Sequence, residues 1–282
     1  MSDIRVAADL CTGCGACIEL CTGRVFQEAD GRSQAGKPEA CWLCGHCVAA
    51  CPVDAIQHGD YPLEACPELK PAGLPSVEGL VLAFRDRRST RVFRRQPVPR
   101  DTVRSLIDIG RWAPSASNGQ PVDWLAFDDP VRIADLSAQA VAALVSFAGW
   151  LRGSGGSPEQ AEGYERLASR HAQGQDPIFF RAPVVLIAHV PEEARFGRDD
   201  AVYAAYNLAL AAQRTALGTC QVGYFQGVLD SSEEMQRCVG LPEGRRAEVT
   251  LVLGYPQFKF HRALPRREPH LAWNPGAPQC RP

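Results

Sequence analysis

From residue 76 onward, apolar and polar positions recur in alternating helical and strand periods. Ser76, with Glu78 close behind, reads as a helix start carrying Leu80, Val81, Leu82 and Phe84 as apolar positions. Asp101 to Trp112 predicts a second helix, capped by Asp101, with Val103, Leu106, Ile107 and Ile109 near helical spacing. Val122 to Phe127 predicts a strand, with Trp124 in the core. Ala134 to Leu151 predicts an apolar helix, and Gly153 to Ser157 ends it. A polar helix follows from Pro158 to His171, then a buried strand from Val184 to Val190. Asp199 to Leu217 predicts a long helix with Ala201, Ala204, Ala205, Leu208, Ala211 and Ala212 on one side, a face that lets another element approach closely. Glu248 to Tyr255 predicts a last strand. Helices and strands mix without regular βαβ repetition, so the expected class is α+β rather than a doubly wound sheet.

Residues 1–60 are organised by cysteine instead. Cys11, Cys14, Cys17 and Cys21 are repeated thirty positions later as Cys41, Cys44, Cys47 and Cys51, eight of the twelve cysteines in the chain. Three sulfurs at this spacing wrap one corner of a cubane, and the fourth starts a new element that points to the other cluster. Cys11, Cys14, Cys17 and Cys51 are therefore expected on cluster I, and Cys41, Cys44, Cys47 and Cys21 on cluster II. Zinc prefers ligands in two pairs, not a run of four. Disulfides need an oxidising compartment, and Met1-Ser2-Asp3-Ile4 opens no secretory leader. Pro52 follows Cys51, but Thr22 follows Cys21. The repeat Leu20–Gln27 against Ala50–Gln57 supports Cys21 all the same. The segment resembles the two-cluster bacterial ferredoxins and implies two [4Fe–4S] clusters.

Length and charge bound the remainder. A chain of 282 residues leaves room for a second domain with a full core. Pro62, Pro67, Pro71, Gly73 and Pro75 read as a stiff connector, with Cys66 a stray thiol within it. The expected partition is a cluster domain at 1–66, a linker at 67–76 and a second domain at 77–282. Residues 1–66 carry nine acidic and four basic side chains, net −5, whereas the whole chain is −2. No basic stripe suggests nucleic acid, and no apolar run suggests a membrane span, so a cytoplasmic protein is expected.

Four segments of the second domain carry candidate chemistry. Arg87-Arg88-Ser89-Thr90-Arg91 offers guanidinium groups and a hydroxyl to a phosphate; its alternative is a solvated basic turn. Ala113–Pro121, Leu217–Phe225 and Gly254-Tyr255-Pro256 with Pro265-Arg266-Arg267 follow in order. Together they resemble the FMN-dependent nitroreductases over about residues 77–282. The resemblance implies an α/β sandwich in a homodimer with FMN between subunits. It implies Arg87, Arg88, Ser89 and Arg91 at the phosphate and ribityl chain, and Arg266 or Arg267 nearby. It further implies Pro114, Ser115 and Asn118 supplied by the other subunit, and Cys220, Gln221, Val222 and Gly223 along the isoalloxazine. The Gly223 backbone N–H is the expected donor at flavin N5, and Asn207 is a weaker candidate. Many relatives carry an acidic or bulky residue at Gly223, so the environment here is expected to be open, with Gln221 able to reach substrate. Within Ala138–Phe180, the segment that covers the flavin in the family, Phe147, Trp150, Tyr164, Phe179 and Phe180 are candidates for a substrate pocket, with core packing as the alternative.

His46 lies between cluster ligands, and the remaining histidines singled out (His171, His189, His261, His270) form no ligand spacing. No general acid is identified. The function expected is electron delivery from a low-potential donor protein through the clusters to FMN, reducing a small organic acceptor such as a nitroaromatic, quinone or activated alkene. Two alternatives stand: export of electrons through the clusters by an FMN-dependent dehydrogenase, and an electron carrier or redox sensor without a substrate site.

Overall fold

A computed structural model describes residues 3–273. The cysteine-rich part contains β1 (Ile4–Val6), α1 (Ala16–Leu20), β2 (Phe26–Ala29), β3 (Arg32–Ala35), α2 (His46–Ala49) and β4 (Ile56–His58). β1 pairs with β4 and β2 with β3, both antiparallel. The internal repeat is structural: Gly15 before α1 and Gly45 before α2 share left-handed backbone angles, as do Arg24 and Asp54. Ile4, Val25, Phe26, Val48 and Ile56 form a small core, and Tyr61 and Cys66 pack against it. The chain thus stays attached to this unit further than the proline pattern suggests, and short 3-10 turns at Leu63–Ala65 and Pro71–Gly73 interrupt the expected extended connector.

The second part runs α3 (Val77–Asp86), α4 (Arg100–Gly110), β5 (Asp123–Phe127), α5 (Pro130–Ser154), α6 (Pro158–Ala172), β6 (Val184–Pro191), α7 (Gly197–Arg214), β7 (Gly218–Gln221), α8 (Gly223–Ser231), α9 (Glu233–Cys238) and β8 (Arg245–Gly254). Ser76 caps α3 by accepting from Gly79 N. The α4 expectation needs one correction. Pro99 occupies the N-cap position, and Asp101 sits in the first turn, where it bonds Arg104 at 2.7 Å.

The four strands form one antiparallel sheet in the order β5-β6-β8-β7. Along β6, Val185 and Ile187 enter one core while Val184, Leu186, Ala188 and Val190 enter the other. This is the period-two alternation of a strand covered on both faces, and it explains the uninterrupted apolar run. Residues of α5, α8 and α9 fill the first core, and those of α4 and α7 fill the second, giving helix–sheet–helix layers. Trp124 packs against the second core. The alanine face of α7 lets α4 close in. A Cβ on Gly110 would stand 3.1 Å from the Ala204 carbonyl oxygen, so the crossing needs small residues on both helices. α5 has the length and hydropathy of a membrane span, but Ile133, Leu136, Ala140, Leu144, Ala148 and Leu151 form a buried stripe at helical spacing.

Candidate functional site

The cysteines collect into two sets. Cys11, Cys14, Cys17 and Cys51 line one small enclosed cavity; Cys21, Cys41, Cys44 and Cys47 line another. These are the two crossed sets expected from spacing. The fourth ligands accept backbone N–H groups in matching positions, Val25 N to Cys21 Sγ at 3.3 Å and Ala55 N to Cys51 Sγ at 3.2 Å. Such donors favour the negative charge of a reduced cluster. Burial pushes the Cys47 thiol up to about 11, with Cys41, Cys44 and Cys21 adding repulsion. Four thiolates this crowded call for a cationic centre, so the donor set fits an iron–sulfur cluster. Sequence reasoning passed over His58. Its buried ring places Nε2 3.6 Å from Cys41 Sγ, whereas His46 opens α2. In the repeat, position 58 corresponds to Glu28, and that break was the available signal.

Three of the four segments in the second domain converge. Ser89 pairs with Thr219, and Thr90 N donates to Thr219 O at 2.9 Å, laying Arg87–Arg91 beside β7. Phe93 pairs with Pro256, and Arg94 N donates to Tyr255 O at 2.8 Å. Gly218 is required at this junction, because a Cβ there would meet Thr90 Oγ1 at 2.2 Å and Pro256 at 2.9 Å. A cavity of about 370 Å³ opens between the segments, with Arg88, Thr90, Gln213, Gly218, Pro256 and Lys259 in its wall. Arg88 Nη2 and Gln213 Nε2 are buried there without an acceptor among the described residues. Buried donors of this kind demand acceptors, which the oxygens of a phosphate ester supply. Arg266 and Arg267 lie exposed in the segment after β8.

Cys220 and Val222 give their side chains to the first core, so they can offer a flavin only backbone. Gln221 and Gly223 alternate outward. Gly223 opens α8, whose first N–H groups have no intrahelical acceptor. A Cβ at Gly223 would meet nothing within 4 Å, the open environment expected from the glycine. Next to it lies a pocket of about 220 Å³ lined by Leu144, Phe147, Tyr164, Gly223, Tyr224 and Ser231. Trp150 stacks on Phe147 at 5.3 Å, and Tyr164 meets Tyr224 edge-on at 6.1 Å. Phe179 is fully buried against Phe225, and Phe180 packs on the same core. A larger cavity of about 770 Å³, holding His171, Asp176 and Arg181, shares Arg94 alone among the described residues with the cavity around Arg88.

The fourth segment lies elsewhere. Asp200 Oδ1 accepts from Ala116 N at 3.1 Å, and burial raises the Asp200 carboxyl above its usual range. Ser115 Oγ accepts from Gln120 N at 3.0 Å. Ser117, Asn118 and Gln120 all have positive φ, a concentration of strained backbone typical of functional loops. Asp200, which tethers this loop, and Gln213, in the cradle, are about 20 Å apart along α7. The loop that carries Pro114, Ser115 and Asn118 is therefore tethered at the opposite end of α7 from Gln213, and none of the three lines the cradle.

A buried arginine in a cavity beside a strand end, in one chain with cysteine sets that fit two cubanes, agrees with the class that the comparisons with known proteins show, an FMN-dependent oxidoreductase that carries [4Fe–4S] clusters. It belongs to the nitroreductase family: the family model matches residues 84–255, and a 4Fe-4S dicluster domain matches residues 10–56. The chain is 28% identical over 210 residues to a 4-nitrobenzoate reductase from Nocardioides sp. (strain LMS-CY), covering 64% of this chain and 82% of that protein. In fold it is similar to iodotyrosine deiodinase bound to FMN and 3-iodo-L-tyrosine (TM-score 0.53, 21% identity, 69% of this chain and 98% of the other). A nitroreductase with bound FMN from Bacteroides fragilis NCTC 9343 is similar to the same degree (TM-score 0.52, 20% identity, 68% and 95%).

Proposed function

We propose that the protein accepts electrons singly at its two clusters and uses them at FMN to reduce a small, flat organic acceptor. The observation that carries this reading is the meeting of Arg88 and Thr90, Gly218, and Tyr255 and Pro256 around one cradle, where Arg88 Nη2 and Gln213 Nε2 are buried without an acceptor among the described residues. FMN supplies the chemistry that converts single electrons into a two-electron reduction. The chain's own residues bind and orient it. Arg87, Arg88, Ser89 and Arg91 hold the phosphate end, with Arg266 or Arg267 closing over it. The Gly223 N–H faces the reactive edge of the ring, and Pro114, Ser115 and Asn118 of a second copy complete the site. The domain partition proposed with this reading is 1–66, 67–76 and 77–282.

The pocket beside Gly223 favours nitroaromatics and quinones, because aromatic walls stack on flat rings. Its lining carries no charged side chain among the described residues, so neutral acceptors fit better than carboxylated ones. Anaerobic assays with a reduced low-potential ferredoxin should show turnover of neutral nitroaromatics or quinones at lower KM than 4-nitrobenzoate. Absence of turnover with every acceptor class would leave the carrier reading instead.

Flavin binding should depend on the arginines. Arg87→Ala removes a charge-assisted phosphate contact worth about 1.5–3 kcal/mol. FMN affinity should then weaken by roughly 10- to 100-fold in a titration of the apoprotein. Affinity equal to that of the unmodified protein would displace Arg87 from the phosphate site.

A further inference from the structure

The two halves of the cluster unit differ in a further respect that the repeat makes visible. Thr12, Gly13 and Gly31 on the cluster I side correspond, thirty positions later, to Trp42, Leu43 and Tyr61 on the cluster II side. Gly13 and Leu43 both have positive φ, 70° and 55°. Glycine adopts that conformation freely, whereas leucine there is strained. On the cluster I side the site is closed against the unit itself, since a Cβ on Gly13 would stand 2.2 Å from the Gly31 carbonyl oxygen. On the cluster II side the chain instead tolerates a strained leucine, 40% exposed, next to a tryptophan 52% exposed.

Leu43 and Tyr61 meet the second domain. Asn118 Nδ2 donates to the Leu43 carbonyl and to Tyr61 Oη, the latter at 3.1 Å. Tyr61 Oη in turn donates to the Leu43 carbonyl. Leu43 N donates to Cys41 Sγ at 3.3 Å, so the clamp is one residue from a cluster II sulfur. The Tyr61 ring lies against the position of a Gly45 Cβ and edge-on to His58 at 5.0 Å. Among the described hydrogen bonds, no side chain of the cluster I loop reaches beyond residue 76, and Asn118 Oδ1 accepts none. The Asn118 amide nitrogen is thus committed to the cluster II loop, and its oxygen is free to face a ligand.

We infer that cluster II is the outlet of the pair, held by the Leu43–Tyr61–Asn118 clamp, and that it serves the flavin of a second copy rather than that of its own chain. The trans direction comes from the flavin reading, in which Asn118 completes the site of a second copy, and α7 agrees with it: the clamp loop is tied to Asp200, about 20 Å along the helix from the cradle residue Gln213 of the same chain. The inference rests on the flavin reading above. Each transfer takes one electron from cluster II and adds it to the flavin. Cluster I, refilled by an external low-potential one-electron donor, restores cluster II. Tyr61 and Leu43 act as positioning residues.

The test uses holoprotein under anaerobic conditions, with cluster and flavin absorbance followed after rapid reduction. Electron paramagnetic resonance counts clusters, and FMN is assayed separately. Tyr61→Phe, which keeps the ring and deletes the hydroxyl, should slow cluster-to-flavin transfer by roughly tenfold with both cluster signals and FMN retained. It should also raise hydrogen exchange at 41–45 and 115–120. Cys44→Ala should leave cluster I reducible but disconnected from the flavin. In mixed dimers of a Cys44→Ala chain and an Arg87→Ala chain, at limiting FMN, the flavin held by the first chain should be reduced by the clusters of the second. Unchanged transfer in Tyr61→Phe, or transfer surviving in Cys44→Ala, overturns the outlet assignment. An unreduced flavin in the mixed dimer overturns the trans direction. Missing FMN or missing cluster signals in the unmodified protein would overturn the functional reading itself.

Discussion

Cys51→Ala should destroy cluster I and spare cluster II, although Cys51 stands in the second cysteine run. Its sulfur shares a cavity with Cys11, Cys14 and Cys17, while Cys21 from the first run shares one with Cys41, Cys44 and Cys47. Removal of one thiolate leaves a cubane with three protein ligands and an open iron, the usual first step of cluster loss. Iron content should fall from about eight to about four per chain, one cluster's worth. Cys14→Ala should produce the same spectrum, because it empties the same site from the other end of the repeat. The cluster remaining in both variants should keep the resonance of a centre flanked by His58, whose ring lies near Cys41. If Cys51→Ala instead removed that resonance and left the other, ligation would follow sequence order and the crossed assignment would fall.

Much of this arrangement is readable in the sequence because the informative signals are local. Each cysteine run, and the Arg87–Arg91 segment, lies within eleven consecutive residues, so residue type and spacing alone restrict the chemistry. The long elements are equally plain: α5 and α7 carry apolar periodicity across many positions, and β6 is a continuous apolar run. β7 is different. Four residues, Gly218 to Gln221, are too few to show a period, and their strand conformation comes from pairing with β8. That pairing also turns Cys220 into the core, a consequence that the motif resemblance does not contain. The capping of α4 failed for a local reason, since Pro99 begins the helix before Asp101 can. The clamp was out of reach for a geometric reason. Asn118 and Leu43 are 75 positions apart, and nothing in either segment alone names the other. The trace that does survive in sequence is the mismatch of Leu43 and Tyr61 with Gly13 and Gly31.

Removal of both clusters by Cys14→Ala/Cys44→Ala should sever the flavin from its protein donor. In anaerobic stopped flow, a low-potential one-electron donor should reduce the flavin of the unmodified protein. In the variant the rate should fall by at least roughly a hundredfold, a barrier increase of about 2.7 kcal/mol. The cluster unit is acidic, net −5 over residues 1–66, so association should be fastest with a donor whose docking face is basic or neutral, and should slow with salt when the face is basic. A nicotinamide is the competing reductant. The sequence has no Gly-x-Gly-x-x-Gly fingerprint after a strand, and a covalently attached cluster unit makes hydride delivery unnecessary. Direct reduction by NADH or NADPH needs only access to the flavin face, however, so the comparison between the two proteins decides. Equal, catalytically competent rates with NADH or NADPH in both would show that the clusters are not the inlet. Electrons would then arrive at the flavin and leave through cluster II, across the same Asn118 clamp in the opposite direction.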